Sequence, residues 1–416
     1  MLRRVVITGV GVVSPNGTGR EAFCRAILAG KSGVKRISRF DASRLPVQIA
    51  GEIPEFNELA WVDAHERKHV SRVVPLAVAA SSEASRDAGL DVAAMSQQEK
   101  REIGVILGTG GGAQEFSEEQ YRLWHSGHVK QVSIFCIPSG TMGTLSSEIS
   151  MRFGFRGYSH VVTAGCTSSS DAIGYAYQHI QAGVQPMFLA GGADSTITPG
   201  IIKGYTLLRA LTPSWNDAPE RASRPFSADR DGFVLAEGAW MFILEEYEHA
   251  RARGARIYAE IAGYASTCEA FHRVRMSDSP EEPARAITLA MDEAGIAARD
   301  VHYVNLHGTS TEMNDRVETR ALKLALGGTV NRIPMSGLKS QIGHAQGACG
   351  SAGLAATLIA MEHGKIPPTI NLDVRDPECD LDYVPDVGRA AQIEHATCNC
   401  VGFGSKNSAL VLRRVA

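Results

Sequence analysis

The sequence lacks any apolar run of the roughly 20 residues that a membrane-spanning helix needs. Its first residues, MLRRVVITGVGVV, also lack the apolar core of a signal peptide and the amphipathic pattern of a transit sequence. We therefore expect no contact with a membrane, a first strand beginning near Val5, and a cytoplasmic location.

Blocks of like charge and paired cysteines are missing too. The chain of 416 residues has a formal net charge of −3 without basic clusters, which gives no indication of nucleic-acid binding. Its eight cysteines are scattered, and only Cys398 and Cys400 lie close together. This distribution is typical of a reduced compartment and argues against a disulfide framework.

Short apolar runs alternate with segments of helical periodicity, which predicts an α/β fold with helices covering the sheets. An early helix capped by Thr18 is expected, and a helix end followed by a strand near residue 255 predicts two units, 1–255 and 256–416. The predicted strands lie at residues 5–8, 103–107, 187–190, 301–306 and 409–412.

Cys166 is the first candidate functional residue. The stretch VVTAGCTSSSDAIGYAYQHIQAG passes from an apolar strand through small residues into a helix that ends near Gly183. A helix N-terminus stabilises a thiolate, so we expect the pKa of the Cys166 thiol to lie below its free value of about 8.5. An isolated cysteine is more often structural, but small neighbours favour a nucleophile here.

Two histidines stand in similar settings. His307 follows the strand VHYVNL, and His344 follows Lys339 by five residues and precedes a helix rich in Gly and Ala. Each alone is more often an ordinary hydrogen-bonded imidazole, but together with Cys166 they indicate a catalytic set. Zinc binding by the three is not expected, because the spacing matches no familiar ligand pattern and no fourth ligand is evident.

At these residues the chain resembles the elongating β-ketoacyl-acyl carrier protein synthases of type II, and the related ketosynthases of type II polyketide systems. The resemblance covers essentially the whole chain. It implies a thiolase-like fold, with two similar halves in five α/β/α/β/α layers, and usually a homodimer; pairing with a second ketosynthase-like chain stays open. The matching stretches are VVITGVGVVSPNG, the Cys166 segment, FLAGGADSTITP, SRPFSADRDGFVLAEGA, HGTST, LKSQIGH and PPTINLDVRDPECDLDYVP.

The resemblance also implies an activity. Cys166 would accept an acyl group, and His307 and His344 would stabilise the enolate left when malonyl-acyl carrier protein loses CO2. The product would be a 3-oxoacyl-acyl carrier protein, in fatty acid elongation or, alternatively, in a type II polyketide system. No cofactor is implied, since the substrates ride on the phosphopantetheine arm of the carrier.

Further roles follow from matching positions in the family. The backbone N–H groups of Cys166 and Phe403 would form an oxyanion hole, Lys339 would tune the site as a cation, and Glu318 would be a supporting carboxylate. Thr309 and Thr311 would contact the pantetheine arm, and the small residue Gly111 would widen the acyl pocket. The acidic carrier would dock on basic residues, which are Lys68, Arg72 and Arg209.

The sequence departs from the family pattern in two segments, and two other functions compete with the condensing activity. The loop that carries Phe403 reads GFGSKN, so Ser405 and Lys406 depart from the usual family residues, and Arg273 and Arg275 lie in a mobile-loop segment that is longer than usual. A dehydrogenase is suggested by GTGGGA after IGVIL, but no acidic residue follows about 20 positions later. A non-catalytic partner subunit is the other rival, against which the intact catalytic set argues.

Overall fold

The computed structural model describes residues 2–404 and 406–415. Strands of the first half are β1 (Val5–Ser14), β2 (Gly17–Thr18), β3 (Lys35–Arg36), β4 (Ile49–Ala50), β5 (Ile103–Gly108), β6 (Ser159–Val162), β7 (Met187–Asp194) and β8 (Gly238–Glu246). Strands of the second half are β9 (Ala259–Cys268), β10 (Tyr303–Asn305), β11 (Met335–Ser336), β12 (Lys365–Ile366), β13 (Arg389–Ala390), β14 (His395–Gly402) and β15 (Lys406–Arg413).

Helices alternate with these strands. The first half holds α1 (Arg20–Leu28), α2 (Ala64–Arg67), α3 (Val73–Asp87), α4 (Gln97–Arg101), α5 (Gln114–His125), α6 (Cys136–Gly140), α7 (Thr144–Phe153), α8 (Ser168–Gln181), α9 (Pro199–Leu207) and α10 (Tyr247–Ala252). The second half holds α11 (Glu281–Ala294), α12 (Glu312–Leu326), α13 (Lys339–Ile342) and α14 (Cys349–His363).

The main sheet repeats one arrangement twice. Its strand order is β11-β10-β14-β15-β9-β1-β8-β7-β5-β6, with the halves meeting where β9 pairs with β1. In each half the first three strands from the outer end are parallel and the next two pairings are antiparallel. This matching order confirms the prediction of two similar halves, while the division at residue 255 stays a prediction.

Helix packing produces the layers. Helices α8 and α14 contact each other and strands of both halves, so they form the central layer. The outer face of the first half is covered by α3 and α7, and that of the second by α11, against which α12 packs. The predicted α/β/α/β/α arrangement is confirmed, and α8 is buried through Ile173, Ala176, Tyr177 and Ile180 as its periodicity predicts.

Four of the five predicted strands lie within an observed one, and the fifth, at residues 301–306, is observed only over Tyr303–Asn305 as β10. The expected cap at Thr18 is wrong: Thr18 pairs with Val13 in a strand, and Gly19 precedes the helix with a φ of 89°. The N–H of Arg20 is satisfied instead by the carboxylate of Glu83, 2.7 Å away. None of the described helices is long and apolar enough to cross a membrane.

Candidate active site

A tight turn between β6 and α8 carries Cys166. The hydroxyl of Ser168 closes the turn by donating to the carbonyl of Gly165 at 2.6 Å and accepting the N–H of Ala164 at 2.8 Å. Gly165 has a φ of 69°, and a Cβ there would lie 3.2 Å from the carbonyl oxygen of Phe403. Glycine therefore lets the Phe403 loop approach the nucleophile closely.

The sulfur of Cys166 is buried, with 7% of the residue exposed. Burial raises the pKa of the thiol, although the backbone N–H of Phe403 and the charge of Lys339 act in the opposite direction. The expected net lowering of this pKa by the helix N-terminus is therefore wrong, because the loss of solvent outweighs it. The N–H of Phe403 nevertheless interacts with the sulfur, so a backbone donor lies beside the atom to which an acyl group would be attached.

His307 lies two residues beyond β10 and is fixed on both sides. Its Nδ1 lies 3.2 Å from Nζ of Lys339, and its backbone N–H donates to Glu318 at 2.6 Å. An ammonium group can only donate, so Nδ1 accepts and the ring proton resides on Nε2. Burial, with the charge of Lys339, holds the pKa of His307 well below its usual value, and the ring is neutral.

His344 reaches the same state through different partners. Its Nδ1 accepts the backbone N–H of Gln346 at 3.0 Å, which again places the proton on Nε2. Burial lowers the pKa of His344 to about 3. The two imidazoles meet edge to face with centroids 5.7 Å apart. The site thus holds two neutral N–H donors side by side.

Supporting charges surround these rings. Burial raises the pKa of Glu318 to about 7. The N–H groups of Gly308 and His307 stabilise its charge and lower the pKa, but their effect is smaller than that of burial. Burial also opposes the charge of Lys339, yet nearby Cys349, Cys400 and Glu318 leave the pKa of Lys339 raised. The charge pair holds the His307 loop between a cation and a carboxylate.

The sulfur of Cys166 and one ring nitrogen each of His307 and His344 all lie within 4.8 Å of one another. Such a set can coordinate a metal ion, but the buried ammonium of Lys339 stands beside it and repels a second cation. One atom set therefore combines a nucleophile with two hydrogen-bond donors, an arrangement suited to acyl transfer and to stabilising a negative oxygen.

Sequence comparison now identifies the family. A model of the β-ketoacyl synthase N-terminal domain matches residues 2–250, and one of the C-terminal domain matches residues 258–373. The chain belongs to the β-ketoacyl synthase family. The predicted family is thereby confirmed.

Relatives of this β-ketoacyl synthase come from both pathways considered above. A putative polyketide β-ketoacyl synthase 1 of Streptomyces halstedii is 42% identical, covering 99% of this chain and 98% of the relative. The 3-oxoacyl-[acyl-carrier-protein] synthase 2 of Synechocystis sp. is 39% identical, covering 99% and 98%. A solved complex of a type II polyketide acyl carrier protein with its ketosynthase, bound to a hexaketide, matches with a TM-score of 0.91, 34% identity and full coverage of both chains.

The pantetheine candidates lie beside the catalytic set. The hydroxyls of Thr309 and Thr311 are 2.7 Å apart, two and four residues beyond His307. Thr309 is buried, and its N–H donates to Asp315 at 3.1 Å. Their role in binding the carrier's arm stays a prediction.

The wider acyl pocket at Gly111 stays a prediction. A Cβ at Gly111 would lie 2.0 Å from Cγ2 of Thr196, so a larger residue there would require Thr196 to move.

Arg72 also needs correction, because it does not belong to a carrier docking surface. Its guanidinium is buried and makes two contacts of 2.9 Å with Glu237, and it pairs with Glu58. An arginine held inside by two carboxylates cannot meet a partner protein. The other two docking candidates, Lys68 and Arg209, are exposed.

Three features were missed by sequence reasoning. Thiols of Cys349 and Cys400 lie 3.5 and 3.4 Å from Nδ1 of His344 and His307. Buried Asp194 accepts N–H groups from Gly110 and Gly347, joining two loops. Adjacency to the LKSQIGH and GFG motifs was the available signal for the thiols.

Ser405 lies outside the described residues; Arg273 and Arg275 are exposed.

Proposed function

We propose that this protein catalyses the decarboxylative condensation of an acyl group on Cys166 with malonyl-acyl carrier protein. The observation that carries the proposal is the meeting of Cys166, His307 and His344 with reacting atoms within 4.8 Å. The pathway is fatty acid elongation or, as the alternative, type II polyketide synthesis. Relatives named as a polyketide β-ketoacyl synthase and as a 3-oxoacyl-[acyl-carrier-protein] synthase support either pathway.

The first half-reaction transfers the acyl group. The sulfur of Cys166 attacks the thioester carbonyl of acyl-acyl carrier protein, and the negative oxygen is held by the N–H groups of Cys166 and Phe403. The carrier leaves as a thiol that takes up the proton lost by Cys166. An acyl-enzyme thioester results.

The second half-reaction forms the carbon–carbon bond. Malonyl-acyl carrier protein loses CO2, and the enolate oxygen is stabilised by the Nε2–H groups of His307 and His344. The carbanion attacks the acyl-enzyme carbonyl, and the sulfur of Cys166 leaves and takes a proton from solvent. The product is a 3-oxoacyl-acyl carrier protein.

We propose that these steps need no cofactor and no metal. Decarboxylation supplies the electron pair of the nucleophile, and two neutral imidazoles with two backbone N–H groups stabilise both oxyanions. Substrates arrive on the phosphopantetheine arm, contacted by Thr309 and Thr311. Exposed Lys68 and Arg209 offer positive charge to the acidic carrier.

A homodimer is part of this proposal. Strand β6 ends the sheet, pairs on one side with β5, and begins with exposed residues. On α5 and the segment up to α6, Tyr121, Trp124, Ile134 and Ile137 are at least half exposed, which is unusual for large apolar residues of a monomer. We define these four residues as the 121–137 apolar face and propose that a second copy covers it. A different ketosynthase-like partner is the alternative occupant.

The test measures intact masses after mixing the purified protein with acyl-acyl carrier proteins and then malonyl-acyl carrier protein. Acylation that Cys166→Ala abolishes, followed by 3-oxoacyl product, supports the proposal. Cys268→Ala is the matched control, since Cys268 is an exposed cysteine away from the catalytic set. Failure of the wild type to be acylated from any carrier would contradict the proposal and favour a non-catalytic subunit.

A further inference from the structure

Gln346 holds a buried donor that the reaction described above does not use. The residue is 7% exposed, and its Nε2 has no hydrogen-bond partner within the described part of the chain. Its Oε1 accepts from the hydroxyl of Tyr205 at 2.7 Å. Buried amide groups without partners are rare in folded proteins, so this N–H group calls for a ligand.

The backbone of Gln346 gives a second, independent indication. Its φ is 51°, a left-handed conformation that residues other than glycine seldom adopt. The surrounding contacts maintain this conformation, because the N–H of Gln346 donates to His344 and that of Gly347 donates to Asp194. Strain of this kind concentrates where a side chain must be aimed at a ligand.

These groups lie beside the nucleophile. The ring of Tyr205 packs 5.5 Å from that of Phe233, which lies 4.8 Å from the ring of His344. Burial raises the pKa of the Tyr205 hydroxyl, and the proximity of Cys166 adds to the shift. Gln346 and Tyr205 therefore line the space next to the sulfur that carries the acyl chain.

A second polar group without a partner belongs to a residue close by. The hydroxyl of buried Thr196 also has no partner among the described residues. Its methyl group packs on Gly111, and the neighbouring Gly110 lies against Gln346, with only 3.4 Å between a Cβ built there and that of Gln346. A wholly saturated chain would leave the Gln346 amide unpaired, whereas a chain that carries oxygen would satisfy it.

We propose that Gln346, held by Tyr205, determines specificity by donating from Nε2 to an oxygen of the acyl chain on Cys166. The substrate class is an acyl chain oxygenated near the thioester, with a 3-oxo group as the best match because it can only accept. This inference rests on the proposed condensing activity. It directs that activity towards oxygenated chains over saturated chains.

The test is a competition for acylation of Cys166. The wild type receives an equimolar mixture of saturated, 3-oxo and 3-hydroxy acyl-acyl carrier proteins of one chain length, and the acyl-enzymes are counted by intact mass. We expect 3-oxo chains to exceed saturated chains by about tenfold, the effect of one hydrogen bond. An excess of 3-hydroxy over 3-oxo chains would overturn the donor role.

Variants separate specificity from activity. Gln346→Leu removes the donor, and Gln346→Asn shortens it while tolerating the left-handed backbone. In both, the ratio of 3-oxo to saturated acyl-enzyme should fall to about one, whatever the total acylation. Tyr205→Phe should reduce the preference partly, because the amide loses its anchor. Gln98→Leu, an exposed glutamine, is the control.

Two further results would contradict the inference. Equal use of 3-oxo and saturated chains by the wild type would do so, and so would parallel losses for all chains in the soluble Gln346→Asn variant. Absence of acylation from every carrier would overturn the proposed condensing activity itself, and is recognised because the saturated chain fails too.

Discussion

Nζ of Lys339 lies 3.2 Å from Nδ1 of His307 and also donates to the backbone carbonyl of that histidine. One cation thus fixes the ring, its tautomer and its loop. Because the proton is confined to Nε2, His307 presents a donor to substrate without becoming charged. The chemistry assigned to His307 depends on a residue 32 positions away.

Replacing Lys339 by Met should slow decarboxylation of malonyl-acyl carrier protein by about 100-fold, comparable with loss of one oxyanion donor. The physical reason is that the His307 ring becomes free to change tautomer and orientation. Decarboxylation is measured as formation of acetyl-acyl carrier protein by intact mass. A rate equal to that of the wild type would show that Lys339 does not position His307.

The pH profile of decarboxylation should lack a histidine limb. Burial lowers the pKa of His344 to about 3 and raises that of Glu318 to about 7. Any loss of activity as the pH falls through about 7 therefore reports protonation of Glu318, which weakens its grip on the His307 N–H. Glu318→Gln should remove this limb and lower the rate at every pH. A limb that persists near 6.5 in Glu318→Gln would contradict the assignment.

Protein stability should change with pH through His344. Between its folded pKa of about 3 and its ordinary value of 6.5, the unfolded chain binds a proton that the folded chain excludes. The free energy of unfolding should therefore fall as the pH drops from 6.5 towards 3, by up to about 1.4 kcal/mol per pH unit from this group. Glu318 has the opposite effect on the free energy of unfolding. Because its pKa is raised in the folded protein, its contribution lowers stability as the pH rises from 4.5 through 7.

Denaturant unfolding of the wild type and His344→Asn at pH 4, 5, 6 and 8 checks this expectation. The asparagine variant should show a flatter dependence below pH 6.5, because that proton uptake on unfolding has gone. Parallel curves for the two proteins would mean that His344 does not bury a neutral ring.

Substitution of Arg72 should affect protein stability, whereas substitution of Arg209 should affect binding of the carrier protein. Arg72→Met leaves the buried carboxylate of Glu237 without its bidentate partner and should cost about 3–5 kcal/mol of stability. Arg209→Glu should keep the stability and raise KM for the carrier protein, since only the surface charge changes. Thermal melts and carrier titrations separate the two effects. A specific KM effect of Arg72→Met without destabilisation would contradict the buried role.

The 121–137 apolar face should control assembly. The double variant Trp124→Asp with Ile137→Lys places charges on this face. A dimer interface would have to remove water from those charges, so the variant should be monomeric. Sedimentation measures the mass, and Val387→Lys, at another exposed apolar position, is the matched control. A monomeric wild type would contradict the proposed homodimer.

Local sequence was enough to predict the turn at Cys166, because small residues and helical periodicity lie within one short stretch. It was not enough for Arg72, whose partners Glu58 and Glu237 stand 14 and 165 positions away. The close approach of Thr196 to Gly111 could not be predicted either, because these residues are also far apart in the chain. The solvent exposure of a side chain depends on which segments, distant in the sequence, pack against it. The local sequence pattern does not contain that information.

The matching halves bear on the origin of the catalytic centre. Cys166 lies between β6 and α8, and His344 lies between β11 and α14, which are equivalent positions in the repeated strand order. This is the arrangement expected from duplication and fusion of one ancestral gene, after which equivalent turns diverged into nucleophile and donor. Neither half alone contains both, so selection for catalysis has acted on the fused pair.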